Sequence, residues 1–64
     1  MKVNGQFITL EHPCTLKEFL ESRQLNPLHV AVELNGEIVR KKDFEIVTLK
    51  EEDTVEIVSF VGGG

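Results

Sequence analysis

Apolar positions in this chain recur with two different periods, and each change of period marks a change of element. Read with Asn4-Gly5 as a two-residue turn and Val3 opposite Gln6, the positions Met1, Val3, Ile8 and Leu10 share one face, and Lys2, Phe7 and Thr9 share the other. Asn-Gly is the favoured pair for a type I′ hairpin, where both central residues need positive φ, so residues 1–10 are predicted to be a hairpin with Phe7 turned outward. Pro13 ends this segment. Thr15-Leu16-Lys17-Glu18 then fits a capping box, in which the threonine hydroxyl and the glutamate carboxylate each satisfy a free backbone N–H of the first helical turn. Leu16, Phe19 and Leu20 fall at helical spacing behind it and form one stripe, predicted to lie on a sheet. The helix is expected to end by Leu25-Asn26, because Pro27 biases the residue before it away from helical angles.

Period two returns at Val30. Val30, Val32 and Leu34 alternate with Ala31 and Glu33, and Asn35-Gly36 turns the chain into a second hairpin that runs to Val39. Residues 40–53 are less regular and read as a loop with a short turn or strand, from which Leu49, Phe44 and Ile46 are expected to drop into the core. After a corner at Glu51-Glu52-Asp53, a last strand should turn Val55 and Ile57 inward and Glu56, Val58 and Phe60 outward. The order hairpin, helix, hairpin, irregular segment, strand is satisfied by an α+β fold in which one helix crosses a mixed sheet. Its uncovered face would then carry Phe7, Ala31, Val58 and Phe60 as an apolar patch, and a contiguous patch of this kind marks a partner surface.

The sequence closes T-V-E-I-V-S-F-V-G-G-G, from Thr54 to Gly64. Glycine loses the most conformational freedom on ordering and brings nothing to pack, so three in succession do not serve stability. Two readings stand side by side on these residues: a carboxylate without side chains that slides into a narrow channel in another protein, or an ordinary frayed end.

Size and charge narrow the function. A domain of 64 residues buries only roughly 60% of its unfolded surface, which leaves no room for a deep internal active site. Function is therefore expected at a surface or at an end. The formal charge of −4 with a pI near 5.0 makes nucleic acid a poor partner, and no apolar run approaches the length of a membrane span. Acidic residues gather late, at Asp43, Glu45, Glu51, Glu52, Asp53 and Glu56, where they could steer the tail toward a basic surface. A single cysteine allows no internal disulfide, which fits a reducing cytoplasm.

Cys14 is a candidate nucleophile within the body. It precedes the predicted helix, where the dipole lowers a thiol pKa, but a lone cysteine is more often a small apolar filler, and that is the expectation here. His12, Cys14 and His29 have no recognised metal-ligand spacing, an iron–sulfur site needs four cysteines, and no Ser-His-Asp or paired-carboxylate arrangement is apparent.

Taken together, V-N-G at Val3–Gly5, T-L-K-E-F-L at Thr15–Leu20, V-A-V-E-L-N-G-E-I-V at Val30–Val39 and D-T-V-E-I-V-S-F-V-G-G-G at Asp53–Gly64 resemble the ThiS-type sulfur carriers of thiamine thiazole biosynthesis, over essentially the whole chain. The resemblance implies a ubiquitin-like β-grasp domain over 1–61 with a flexible glycine tail at 62–64, and a protein co-substrate, not an enzyme. An E1-like adenylating partner of ThiF type would use ATP to activate the Gly64 carboxylate. Sulfur from a cysteine desulfurase would convert it to a thiocarboxylate, and thiazole synthase of ThiG type would take that sulfur. No cofactor would be bound by the chain itself. Gly62 and Gly63 would thread the tail into both partners, and Phe7, Ala31, Val58 and Phe60 would dock the body. The sequence departs from the family in its third terminal glycine, which makes Gly62 a spacer, and in Glu52-Asp53 where Gly-Asp is common. The alternatives on the same fold are the small subunit of molybdopterin synthase, a ubiquitin-like modifier, and a plain interaction module.

Overall fold

The computed structural model describes residues 1–60; the expected domain boundary after 61 and the glycines at 62, 63 and 64 lie outside the described residues. Both Asn-Gly pairs form the predicted turns, with φ of 49° and 85° at Asn4 and Gly5 and of 52° and 89° at Asn35 and Gly36. The first joins β1 (Lys2–Val3) to β2 (Gln6–Phe7) with Val3 opposite Gln6. Met1 and Ile8 extend the pairing by one further rung, since Ile8 N donates to Met1 O and the Met1 ammonium donates to Ile8 O. A two-residue strand, β3 (Cys14–Thr15), leads into helix α1 (Leu16–Ser22); β4 (Val30–Leu34) and β5 (Glu37–Val39) form the second hairpin; β6 (Thr48–Leu49) and β7 (Thr54–Ser59) complete the chain. The main sheet runs β2-β1-β7-β4-β5, with β1 and β7 parallel and the remaining neighbours antiparallel. The expected mixed sheet with one helix on it is thus borne out.

The capping box is complete: Glu18 N donates to Thr15 Oγ1 at 3.0 Å, and Thr15 N donates to Glu18 Oε1 at 2.9 Å. The remaining free donors of the first turn go to the irregular segment, Leu16 N to Val47 O and Lys17 N to Phe44 O, so the start of the helix holds residues 44–47 in place. Leu16, Phe19 and Leu20 meet Met1, Val3, Val30, Val32, Phe44, Leu49, Val55 and Ile57 in one core.

The helix ends by Leu25-Asn26 as expected but for another reason, and one local expectation fails. The helix stops well before Pro27, because Gln24 takes a left-handed φ of 61°, with Leu25 N donating to Leu20 O and Gln24 N to Glu21 O. That is the Schellman arrangement, here built without a glycine. Ile46 does not enter the core; it is exposed. Ile46 N and Val47 N both donate to Asp43 O, so residues 43–47 form a helical turn. At helical spacing Phe44 and Val47 share the inward side, and Ile46 falls outside it.

β7 is the central strand, and each Asn-Gly turn braces it with a side chain. Asn4 Oδ1 accepts from Ile57 N at 2.7 Å, and its Nδ2 donates to Ile57 O at 3.2 Å, carrying the ladder on where β1 has ended. Asn35 N donates to Thr54 O while Thr54 N donates to Asn35 Oδ1, and Asn35 Nδ2 donates to Asp53 Oδ1. Asp53 also caps its own corner by accepting from Lys50 N. Neither Glu51 nor Glu52 has positive φ, so glycine is not required there.

Glu51 ties the corner to the chain start. Its carboxylate accepts from Leu10 N at 2.8 Å and from the Met1 ammonium at 3.2 Å. The Leu10 hydrogen bond first, and then the ammonium, hold its pKa below the ordinary glutamate value. A depressed folded-state pKa gives stability that is complete above the unfolded value and is lost as pH falls through the folded one. Glu51→Gln is therefore expected to lower the urea midpoint at neutral pH, with the gap to wild type closing below about pH 4. A gap that stays constant down to pH 3 would show that this carboxylate contributes nothing through its charge.

Candidate functional site

The functional reading of the sequence lies at the end of β7 and on the sheet face that the helix leaves uncovered. Phe60 is the last residue with a described position. Its N–H donates to His29 O at 2.9 Å, closing the β4–β7 pairing, and the Lys41 ammonium lies 5.4 Å from its ring centroid. The same ammonium donates to Val30 O at 3.3 Å, so one lysine spans the start of β4 and the end of β7. Covalent geometry alone then limits Gly64 to about 14 Å from Phe60, whatever path the chain takes. A partner that uses that end must bind close to this end of the central strand.

Strand register sorts the outward residues into rows. Val58 lies opposite Ala31, and Phe60 lies beside His29. One row back, Glu56 lies opposite Glu33, and Glu33 lies opposite Ile38 on β5. All of these side chains are exposed, that of Phe60 least among the large apolar ones, at 43%. Ala31, Val58 and Ile38 border a shallow groove with Glu33, Glu56 and Asn4. Ala31, Val58 and Phe60 are thus brought together as the sequence predicts.

Phe7 is exposed as expected but does not join them. It lies on β2, at the far edge of the sheet, in the row of Lys2 and Thr54, under the Lys2 ammonium. Thr54 to Val58 is about 13 Å along β7. The alternation of the first hairpin gives the direction of the ring but not its strand's place in the sheet, which depends on the parallel β1–β7 pairing. Ile38 was legible and overlooked: the Asn35-Gly36 turn sets Ile38 opposite Glu33, and hence outward.

Cys14 is half-buried and packs against the core. Burial, and then the nearby Glu18 carboxylate, push its thiol pKa up, so the nucleophilic thiolate is disfavoured. Among the described residues no group of three or more His, Cys, Asp or Glu side chains is placed to hold a metal, and no helix is long and apolar enough to cross a membrane.

This geometry, a helix-backed mixed sheet with parallel β1 and β7 at its centre and an open apolar face, is that of the ubiquitin-like β-grasp class. The chain belongs to the ThiS family, whose model matches residues 1–64. It is 46% identical over 65 residues to the sulfur carrier protein ThiS of Bacillus subtilis, covering 100% of this chain and 98% of that one. The crystal structure of the thiamine biosynthesis protein ThiS from Geobacter metallireducens superposes with a TM-score of 0.83 at 35% identity, over 98% of this chain and 96% of that one. A thiazole synthase of Magnetococcus marinus contains a segment 37% identical over 62 residues, covering 97% of this chain but only 19% of that protein. The chain is accordingly a sulfur carrier of thiamine thiazole formation, and it is not itself a catalyst.

Proposed function

We propose that the chain carries sulfur on its own end, as a thiocarboxylate at Gly64. A carboxylate is inert toward sulfur until one of its oxygens becomes a leaving group. An E1-like adenylating enzyme of ThiF type supplies that group from ATP: the Gly64 carboxylate attacks the α-phosphate, pyrophosphate leaves, and an acyl adenylate results. A persulfide formed by a cysteine desulfurase then attacks the acyl carbon and AMP leaves; a thiol cleaves the S–S bond of the resulting acyl disulfide and is oxidised to a disulfide, leaving the thiocarboxylate, with a C–S bond where a C–O bond stood. The thiocarboxylate is a competent sulfur nucleophile, and thiazole synthase of ThiG type is its acceptor. The chain needs no cofactor of its own for these steps, and the reaction belongs in the reducing cytoplasm. Gly62 and Gly63 thread the end into each partner, while Ala31, Val58 and Phe60 dock the body.

The observation that carries this reading is the position of Phe60. It fixes the last strand beside an open apolar face, within reach of any active site docked against that face. The thiazole synthase that contains a matching segment supports that enzyme as the acceptor. The raised thiol pKa of Cys14 argues against a persulfide there.

The test is reconstitution with ATP, the adenylating enzyme, the desulfurase, cysteine and a thiol reductant, read by intact mass. Exchange of one oxygen for sulfur should add about 16 Da, whereas a persulfide on cysteine would add about 32 Da. Cys14→Ala should gain the same mass as wild type. Loss of the gain in Cys14→Ala would overturn the reading.

A further inference from the structure

We propose that Lys41 is a positioning residue for sulfur loading: it closes the last rung of β7 and so fixes the point from which the reactive end leaves the sheet. The inference rests on the reading that the chain's end carries the sulfur, and adds to it the group that holds the base of that end. The rung at Phe60 is only half made. In an antiparallel pair of this kind each residue donates a hydrogen bond to the other. Phe60 N donates to His29 O, but His29 N donates to Asn26 O, because Pro27–His29 form a 3₁₀ turn that Asn26 caps. The return bond is therefore missing.

β5 does not make up the loss. Val39 lies opposite Val32, so the same register would set Lys41 opposite Val30, but the backbone turns at Arg40 into a 3₁₀ helix over Lys41–Asp43. The Lys41 side chain fills the place that its backbone leaves. Its ammonium donates to Val30 O at 3.3 Å and lies 5.4 Å from the centroid of the Phe60 ring, so it ties the edge carbonyl of β4 to the last ring of β7. Strand ends open at almost no cost when little else holds them, so a half-made rung beside a chain end would be open about as often as closed. An exposed cation–π contact shifts such an equilibrium up to about fivefold, which leaves the rung closed about five-sixths of the time. Opening frees Phe60 from the face that docks, and each freed residue lets Gly64 range about 3.6 Å farther. Only the closed fraction presents the end correctly, and apparent affinity falls in proportion to that fraction.

Lys41→Met keeps the aliphatic stem and removes the charge and the donor, whereas Lys41→Arg keeps both. Amide hydrogen exchange, followed residue by residue by NMR on the free carrier, should quicken about threefold at Phe60 in Lys41→Met and return to the wild-type rate in Lys41→Arg. Val32 and Val55 should be unchanged in both. In carrier-dependent ATP–pyrophosphate exchange by the adenylating enzyme, kcat/KM for Lys41→Met should fall to about three-fifths of wild type, and Lys41→Arg should recover it. A lower kcat/KM with Phe60 amide exchange unaltered would make Lys41 a contact of the partner and overturn the inference. Equal quickening at Val32 and Val55 would also overturn it, by making the effect one of general stability, and so would a quickened Phe60 with kcat/KM at the wild-type value. In these cases active wild type leaves the reading of the chain's end standing. Wild type that supports no ATP–pyrophosphate exchange would overturn that reading, and this inference with it.

Discussion

Leu16→Ala should destabilise the domain by about 3 kcal/mol, the middle of the range for a buried leucine cut back to its β-carbon. The position combines several roles. Leu16 is fully buried, it is the first residue of α1, and its N–H donates to Val47 O, so the side chain sits where the helix start, the β3–β6 pair and the irregular segment meet. Collapse around the cavity is restricted by those same bonds. A domain of this size has a total stability of only about 3–10 kcal/mol, so the loss is a large fraction of the whole. Urea unfolding should show a much lower midpoint with an unchanged slope. Leu28→Ala, at a site 68% exposed, should stay within about 0.5 kcal/mol of wild type. Similar losses for the two variants would mean that the core is centred elsewhere.

Gly63→Val should produce the opposite pattern. Residue 63 lies beyond the last described strand, so urea unfolding should be unaltered. In the proposed mechanism the end enters a narrow channel in the adenylating enzyme, and a branched side chain one residue from the reacting carboxylate would displace it. A misplacement of about 1 Å is enough to cost about a hundredfold in rate. Gly62→Ala, at the additional glycine, should lose much less if that residue is a spacer. Loading of Gly63→Val at the wild-type rate would show that the channel does not require glycine.

The parts of the fold legible in the sequence were those set by local chemistry. Asn-Gly twice, a threonine three residues before a glutamate, and strict alternation from Val30 and from Thr54 each correspond to a turn, a cap or a strand in the structure. What escaped was set by tertiary bonds. The β3–β6 pair is two residues long on each side, too short to show any period. The helix end depends on a left-handed glutamine that no composition rule would choose. The positions of Ile46 and Val47 follow from a single helical turn, pinned by the start of α1, in a segment read as irregular. For the site, alternation gave the outward direction of Phe7, Ala31, Val58 and Phe60, but only strand order could show that Phe7 stands apart. The Glu33–Glu56 pairing was equally hidden, because it requires β4 and β7 to be neighbours with a known register.

The one thiol, Cys14, is half-buried beside Glu18 with its pKa pushed up, which favours the proposal that the reactive atom belongs to the chain's end. Fragmentation of the sulfur-loaded chain in the mass spectrometer locates that atom. The account predicts a gain of about 16 Da carried only by fragments that include Gly64, with those around Cys14 unchanged. A gain of about 32 Da on the Cys14 fragments, with the Gly64 fragments unmodified, would contradict it.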